Sequence, residues 1–133
     1  MITDPTGNAG EEAAMEAYRL EGYEIVTRNY HSRYGEIDFI ARRDNLLVFV
    51  EVKTRTPQSR YTGVAAVTRT KKRRIFKTAL VYLQAHGTTM RRRFDVVDIS
   101  GHWAVFDQKE IFIVDHLRVF KGAFGSEVYD GFI

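Results

Sequence analysis

Residues 35–53 read GEIDFIARRDNLLVFVEVK, and this stretch decides the fold. Leu46 to Val50 is an almost unbroken apolar run, the pattern of a strand covered on both faces. It does not end in a turn but runs straight into Glu51-Val52-Lys53. Acids and lysines are almost never fully buried unless paired, so charge at the mouth of a core strand needs a cause. Asp44-Asn45 suits a two-residue hairpin turn, because both residue types tolerate positive φ. Pairing Arg43 with Leu46 makes opposed positions sum to 89, which sets Asp38 directly across from Glu51. On that register the two carboxylates share a face, with Cβ atoms roughly 5 Å apart. Lys53 lies on the same face, about 7 Å further along the strand. Facing carboxylates repel unless a cation sits between them. A Mg²⁺ or Mn²⁺ ion held by Asp38 and Glu51, beside an ammonium, is an arrangement for activating water against a phosphate.

A length of 133 residues allows one domain with a real core and is too short for two ordinary ones. Hydrophobic residues at 44% and aromatics at 13% argue against long disorder. Without cysteine there is no disulfide framework and no thiolate metal site. Apolar stretches fall far short of the ~18 residues of a membrane span, and MITDPTGNAGEE has neither the basic nor the apolar segment of a signal peptide. The expectation is a cytoplasmic protein with no membrane partner.

Net charge is only +3 but unevenly spread. Residues 51–100 carry twelve bases and three acids, whereas the flanking segments are acidic. The basic block includes Arg55, Arg69, Lys71, Lys72, Arg73, Arg74 and Lys77, then Arg91 to Arg93. Positive charge following directly on the paired acids suggests a polyanionic partner, most simply nucleic acid. A solvated helix face is the plain alternative for the charge run taken alone.

The rest of the chain reads around that hairpin. Gly10 to Gly22 patterns as a helix with Ala13, Ala14, Met15, Ala17 and Tyr18 on its apolar side, Asn8 as its cap and Gly22 as its stop. Tyr23 to Tyr30 alternates as a strand, and 35–42 with 46–54 make the hairpin. Thr56 to Thr68 reads as a loop beside the site. Arg69 to His86 is a second helix with Ile75, Phe76, Ala79, Leu80 and Leu83 inward, stopped by Gly87. Phe94 to Ile99 forms a fourth strand, Trp103 to Phe106 a candidate fifth, and Ile111 to Val114 a weaker one. Residues 1–8 and 121–133 are expected to be irregular tails. Three antiparallel strands followed by a helical crossover make a parallel pair, so the class is α/β: one domain with a mixed β-sheet flanked by helices.

Other chemical signals are weak. Glu36 shares the face of Asp38 and is left to outer support or the surface. Glu11 and Glu12 open the first helix, where the helix dipole favours acids regardless of function. His31, His86, His102 and His116 show no paired ligand spacing. No serine sits in a nucleophile elbow, and GNAG at 7–10 follows no strand and lacks the Lys-Ser/Thr of a phosphate loop.

With Asp38, Glu51-Val52-Lys53 and a preceding helical glutamate in view, the chain resembles the PD-(D/E)xK nucleases, the restriction-endonuclease-like superfamily that includes Holliday junction resolvases. More narrowly it resembles the YraN-like family of small, largely uncharacterised bacterial proteins. The matching stretches are Gly10-Glu11, Gly22-Tyr23, Asn29, GEIDFIA (35–41), FVEVKTR (49–55), Lys71 and RFDVV (93–97). The resemblance implies an αβββαβ core, Asp38 and Glu51 as metal ligands, the Val52 carbonyl as a further ligand and Lys53 as the catalytic lysine. It also raises Glu11 above Glu12, approaching the metal directly or through water.

The expected function is metal-dependent hydrolysis of phosphodiester bonds in DNA, branched or junction DNA included. Arg55, Arg69, Lys71, Lys72, Arg73 and Arg74 would supply salt-sensitive backbone contacts. Resolvase-like proteins pair to cut two strands, so a homodimer stays an open expectation. The rival readings are a nucleic-acid-binding module that keeps the fold without catalysis, and a structural domain whose charged hairpin is a salt-bridge cluster.

Overall fold

The apolar run at 46–50 becomes the centre of a five-stranded sheet in the computed structural model, which describes residues 4–58 and 67–129. In chain order the elements are α1 (Pro5–Leu20), β1 (Glu24–Ser32), β2 (Gly35–Arg43), β3 (Leu46–Arg55), α2 (Arg69–His86), β4 (Arg91–Phe106) and β5 (Lys109–Phe124), with a 3-10 turn at Ser126–Tyr129. Strand order follows chain order, with β3 and β4 parallel and every other pair antiparallel. This is the mixed sheet flanked by helices that the hairpin and crossover required, and it is consistent with a restriction-endonuclease-like fold. No helix among the described residues is long and apolar enough to cross a membrane.

Each helix covers one face of the sheet. Ala14, Met15 and Tyr18 of α1 pack on Phe39, Ala41, Val48, Val50, Val97 and Ile99. Ile75, Ala79, Tyr82 and Leu83 of α2 pack on Ile37, Ile40, Leu47, Phe49, Phe94 and Val96 on the other face. Alternate residues of β3 therefore serve opposite layers, and both layers are apolar, which explains the unbroken run.

Several boundaries differ from the sequence pattern. Pro5 occupies the first turn of α1 and Asp4 the cap position, so residues 5–8 are helical rather than an irregular tail, and Asn8 lies inside the helix. Leu80 is 42% exposed, while Thr78 and Tyr82 are buried. The stripe 75, 78–79, 82–83 follows the helical period, and position 80 falls off it. Thr68 caps α2 by accepting the Lys71 N–H, and Gly87 ends it with φ 57. Most of the segment expected as a loop at 56–68, namely 59–66, lies outside the described residues.

The C-terminal half departs most. Phe94–Ile99 and Trp103–Phe106 belong to a single strand of 16 residues, paired along its length with a second strand of 16 that runs through Phe124, inside the presumed tail. Gly101 reads as a break but is a close contact: a Cβ there would collide with the Ile113 carbonyl and the Phe112 ring. Asp107 and Gln108 both take positive φ, 50 and 63, closing the hairpin without a glycine.

Candidate active site

The β2–β3 register is the predicted one: Arg43 faces Leu46 and the ladder continues to Phe39–Val50. Asp44 alone takes positive φ (53) in the turn. The ladder ends one step before Asp38 and Glu51. There the Asp38 carboxylate accepts the Val52 N–H at 2.7 Å in place of a strand carbonyl. Asn29 of β1, the neighbouring edge strand, has φ 50 beside this irregularity.

Glu51 is 3% exposed, and its carboxylate holds two ammonium groups, Lys71 Nζ at 2.8 Å and Lys53 Nζ at 3.5 Å. Among the described residues no cation pairs with Asp38 directly, though the Lys71 charge acts on it. Burial first, and the Glu51 charge second, push its carboxyl up to about 8. Glu11 reaches the same neighbourhood from α1. Burial raises its carboxyl above the ordinary range, and Glu36 and Glu51 add to the rise against the pull of Arg28. Its Oε1 is buried with no hydrogen-bond partner among the described residues. Glu12, one residue on, pairs with Arg28 at 2.8 Å on the surface.

The approach of α1 depends on Gly10. A Cβ at that position would overlap the Thr54 side chain, so only glycine lets the helix sit against the end of β3 and bring Glu11 in. Lys53, Thr54, Val52, Glu11, Glu36 and Lys71 line a cleft of about 640 Å³ that Arg74 also borders.

The two lysines on Glu51 are driven apart. Burial and then the adjacent Lys71 lower Lys53, outweighing the pull of Glu51. Burial also opposes the charge on Lys71, but its hydrogen bond to Glu51 wins and the net shift is upward. One site therefore contains an amine eased toward neutrality and an ammonium held charged.

The donor set fits a hard divalent ion in chemistry: oxygen ligands, carboxyls raised by one another and by burial, and one buried carboxylate oxygen without a donor among the described residues. It is not a ready-made cage, since no three His, Cys, Asp or Glu side chains among the described residues are gathered to hold an ion. Asp38, Glu51 and the Val52 carbonyl would be the nearest holders, with Glu11 beyond them.

The basic set divides. Lys71 and Arg74 line the cleft. Arg69 and Arg73 donate to the carbonyls of Glu127 and Val128, at 3.4 and 2.9 Å, and Lys72 lies 5.9 Å from the Phe124 ring centre, so these three help to seat the C-terminal segment. Arg55 forks onto Asp98 at 3.2 and 3.1 Å. Sequence reasoning placed Lys71 among backbone contacts and missed its bond to Glu51. No local pattern marks that bond, which arises because the crossover returns the start of α2 to the end of β3.

The pattern of the family described as "Uncharacterised protein family UPF0102" matches residues 10–99. The chain belongs to this family. UPF0102 proteins similar to it include one from Myxococcus xanthus, 40% identical over 121 residues that cover 90% of this chain and 89% of the relative. Another, from Desulfosudis oleivorans, is 45% identical over 96 residues covering 71% and 78% of the two chains. A third, from Symbiobacterium thermophilum, is 47% identical over 95 residues covering 71% and 80%. The UPF0102 match spans α1 through most of β4, so it contains Glu11, Asp38, Glu51, Lys53 and Lys71 and excludes the distal β4–β5 hairpin.

Proposed function

We propose that this UPF0102 protein is a metal-dependent nuclease of the restriction-endonuclease-like superfamily, hydrolysing phosphodiester bonds in DNA. The observation that carries the reading is the set of carboxyls drawn to the end of β3: Asp38 and Glu11 are raised by burial, and Glu51 sits between two lysines of divergent basicity that line the cleft. A stable fold has no use for a buried carboxylate oxygen lacking a donor, so such a group points to a cationic ligand.

Asp38, Glu51 and the Val52 carbonyl would hold Mg²⁺ or Mn²⁺, with Glu11 supporting it. When bound, the ion supplies charge neutralisation and Lewis-acid polarisation of the phosphate. Lys53, eased toward its neutral form, takes a proton from the attacking water as the new P–O bond forms. Lys71 keeps its charge and offsets the negative charge growing on the phosphorus oxygens as the bond to the leaving oxygen breaks. Arg74 on the cleft wall engages the backbone phosphates.

Cleavage of a panel of linear, single-stranded and branched DNA with added Mg²⁺ or Mn²⁺ tests this. Activity lost in Asp38→Ala and Lys53→Ala supports it, and absence of cleavage on every substrate removes it. The second reading, a binding module without catalysis, draws on the 2.8 Å Lys71–Glu51 pair, an internal cation already seated on one ligand. Salt-sensitive binding without cleavage would select it.

A further inference from the structure

Arg74 borders more than the acidic cleft. It also lines a depression of about 410 Å³ formed by His31, Ser32, Arg33, Tyr34 and Glu36, and another of about 370 Å³ shared with Thr70, Arg73 and Lys77. The three hollows form one path from Lys53 to the β1–β2 turn.

That turn is built to hold Tyr34 in place. Ser32 Oγ accepts the Tyr34 N–H at 3.1 Å and shares a hydrogen bond of 2.7 Å with Thr78 Oγ1, a fully buried group of α2. Gly35 has φ +156, and a Cβ on it would come within 3.2 Å of Arg74 Cβ, so turn and helix are in close contact. Arg33 donates to the Tyr34 hydroxyl at 2.6 Å, and Lys77 Nζ lies 5.3 Å from the ring centre. Asp4 and Glu11 lie at the cleft end of that path, and the acid beside the turn is Glu36, whose carboxylate meets His31 at 3.4 Å. The Arg33 guanidinium, 4.8 Å from the ring centre, and Lys77 both lie over this half-buried ring, so a base stacking on Tyr34 would exchange with one of them and leave that cation for a flanking phosphate. A duplex keeps its bases stacked on one another and has no use for such a ring.

We propose that the Tyr34 turn is a single-strand subsite, which binds an unpaired nucleotide adjoining the phosphate in the cleft. The base stacks on Tyr34, and Arg33, Arg74 and Lys77 contact the flanking backbone. The substrate class is then nucleic acid with a single-stranded segment next to the cut, a statement that rests on the nuclease reading above.

Binding measured with EDTA present separates the two ideas, because it needs no metal and no cleavage. Fluorescent dT oligonucleotides and a blunt duplex are titrated against the full chain, Tyr34→Ala and Tyr34→Phe. Tyr34→Ala is expected to weaken dT binding about tenfold while Tyr34→Phe, which keeps the ring, stays near the parent. Duplex binding should change little in either variant. Equal loss in both variants, equal loss on the duplex, or no loss in Tyr34→Ala would overturn the subsite. If the parent still cleaves in Mg²⁺ after such a result, the nuclease reading stands alone. Failure of the parent to bind dT would likewise overturn the subsite, and cleavage in Mg²⁺ would then decide the nuclease reading by itself.

Discussion

Two clusters of buried acid lie on the same sheet, and they are neutralised in different ways. Asp95 of β4 is wholly buried, yet every demand of its carboxylate is met. Arg93 donates from Nε and Nη2 at 2.8 and 2.9 Å, Tyr18 from its hydroxyl at 2.6 Å, and Gly122 from its N–H at 3.0 Å. The pair also holds the Tyr18 hydroxyl well above its usual range, through burial first and Asp95 second. At the β2–β3 mouth, Asp38 accepts from one backbone N–H, Glu51 takes both lysines, and Glu11 Oε1 has no partner among the described residues. Buried charge that serves the fold is matched donor for donor. At the mouth, donors do not match the acids in that way, and burial raises the Asp38 and Glu11 carboxyls instead.

Substitution should expose that difference most strongly. Asp38→Asn keeps an acceptor for the Val52 N–H and resembles the protonated acid, so thermal stability near neutral pH should hold while cleavage falls by about a thousandfold or more. Asp95→Ala leaves half-buried Arg93 and the buried Tyr18 hydroxyl without their shared acceptor and should cost about 3–5 kcal/mol in denaturant unfolding. A destabilised Asp38→Asn would make the mouth a structural cluster like Asp95.

Ion binding comes next in size. Mg²⁺ or Mn²⁺ at about a hundred times its Kd should stabilise the parent by about 2.7 kcal/mol, read as a rise in Tm, and leave Asp38→Asn unmoved. The Asp95 cluster, already saturated, should contribute nothing to that rise.

A smaller effect is the pH profile without metal. The Asp38 carboxyl sits at about 8 in the folded chain against 3.8 for the free group. Between those values the folded form retains a proton that the unfolded chain has released. The associated stability is complete below about pH 4, falls as pH rises and is gone above about pH 8. Scans of Tm against pH should show this decline in the parent and a flatter line in Asp38→Asn. Least of all, breaking the exposed Arg42–Glu24 pair, 2.9 Å apart, by Arg42→Ala should move stability by about 0–1 kcal/mol.

The hairpin and its register were legible because a two-residue turn and a period of two leave few alternatives once one face is buried. Helix α2 and its stop were legible for a similar reason, since Gly87 acts on its own neighbours, whereas the Thr68 cap was read only as the end of a loop. The extent of β4 and β5 was not, because Gly101 signals a break locally and becomes a ring contact only when Phe112 folds over it. Among the basic residues, composition alone could not separate Lys71 on Glu51 from Arg73 on the Val128 carbonyl.

Local order, the β2–β3 register as far as Phe39–Val50 and the family were therefore determined by the sequence itself, since each depends on residues close along the chain or on their pattern. Tertiary structure alone decided that Gly10 admits Glu11, that Lys71 returns to Glu51, and that the Tyr34 turn continues the cleft. Those three facts depend on where two helices land on a sheet, and packing geometry sets that position rather than any local preference.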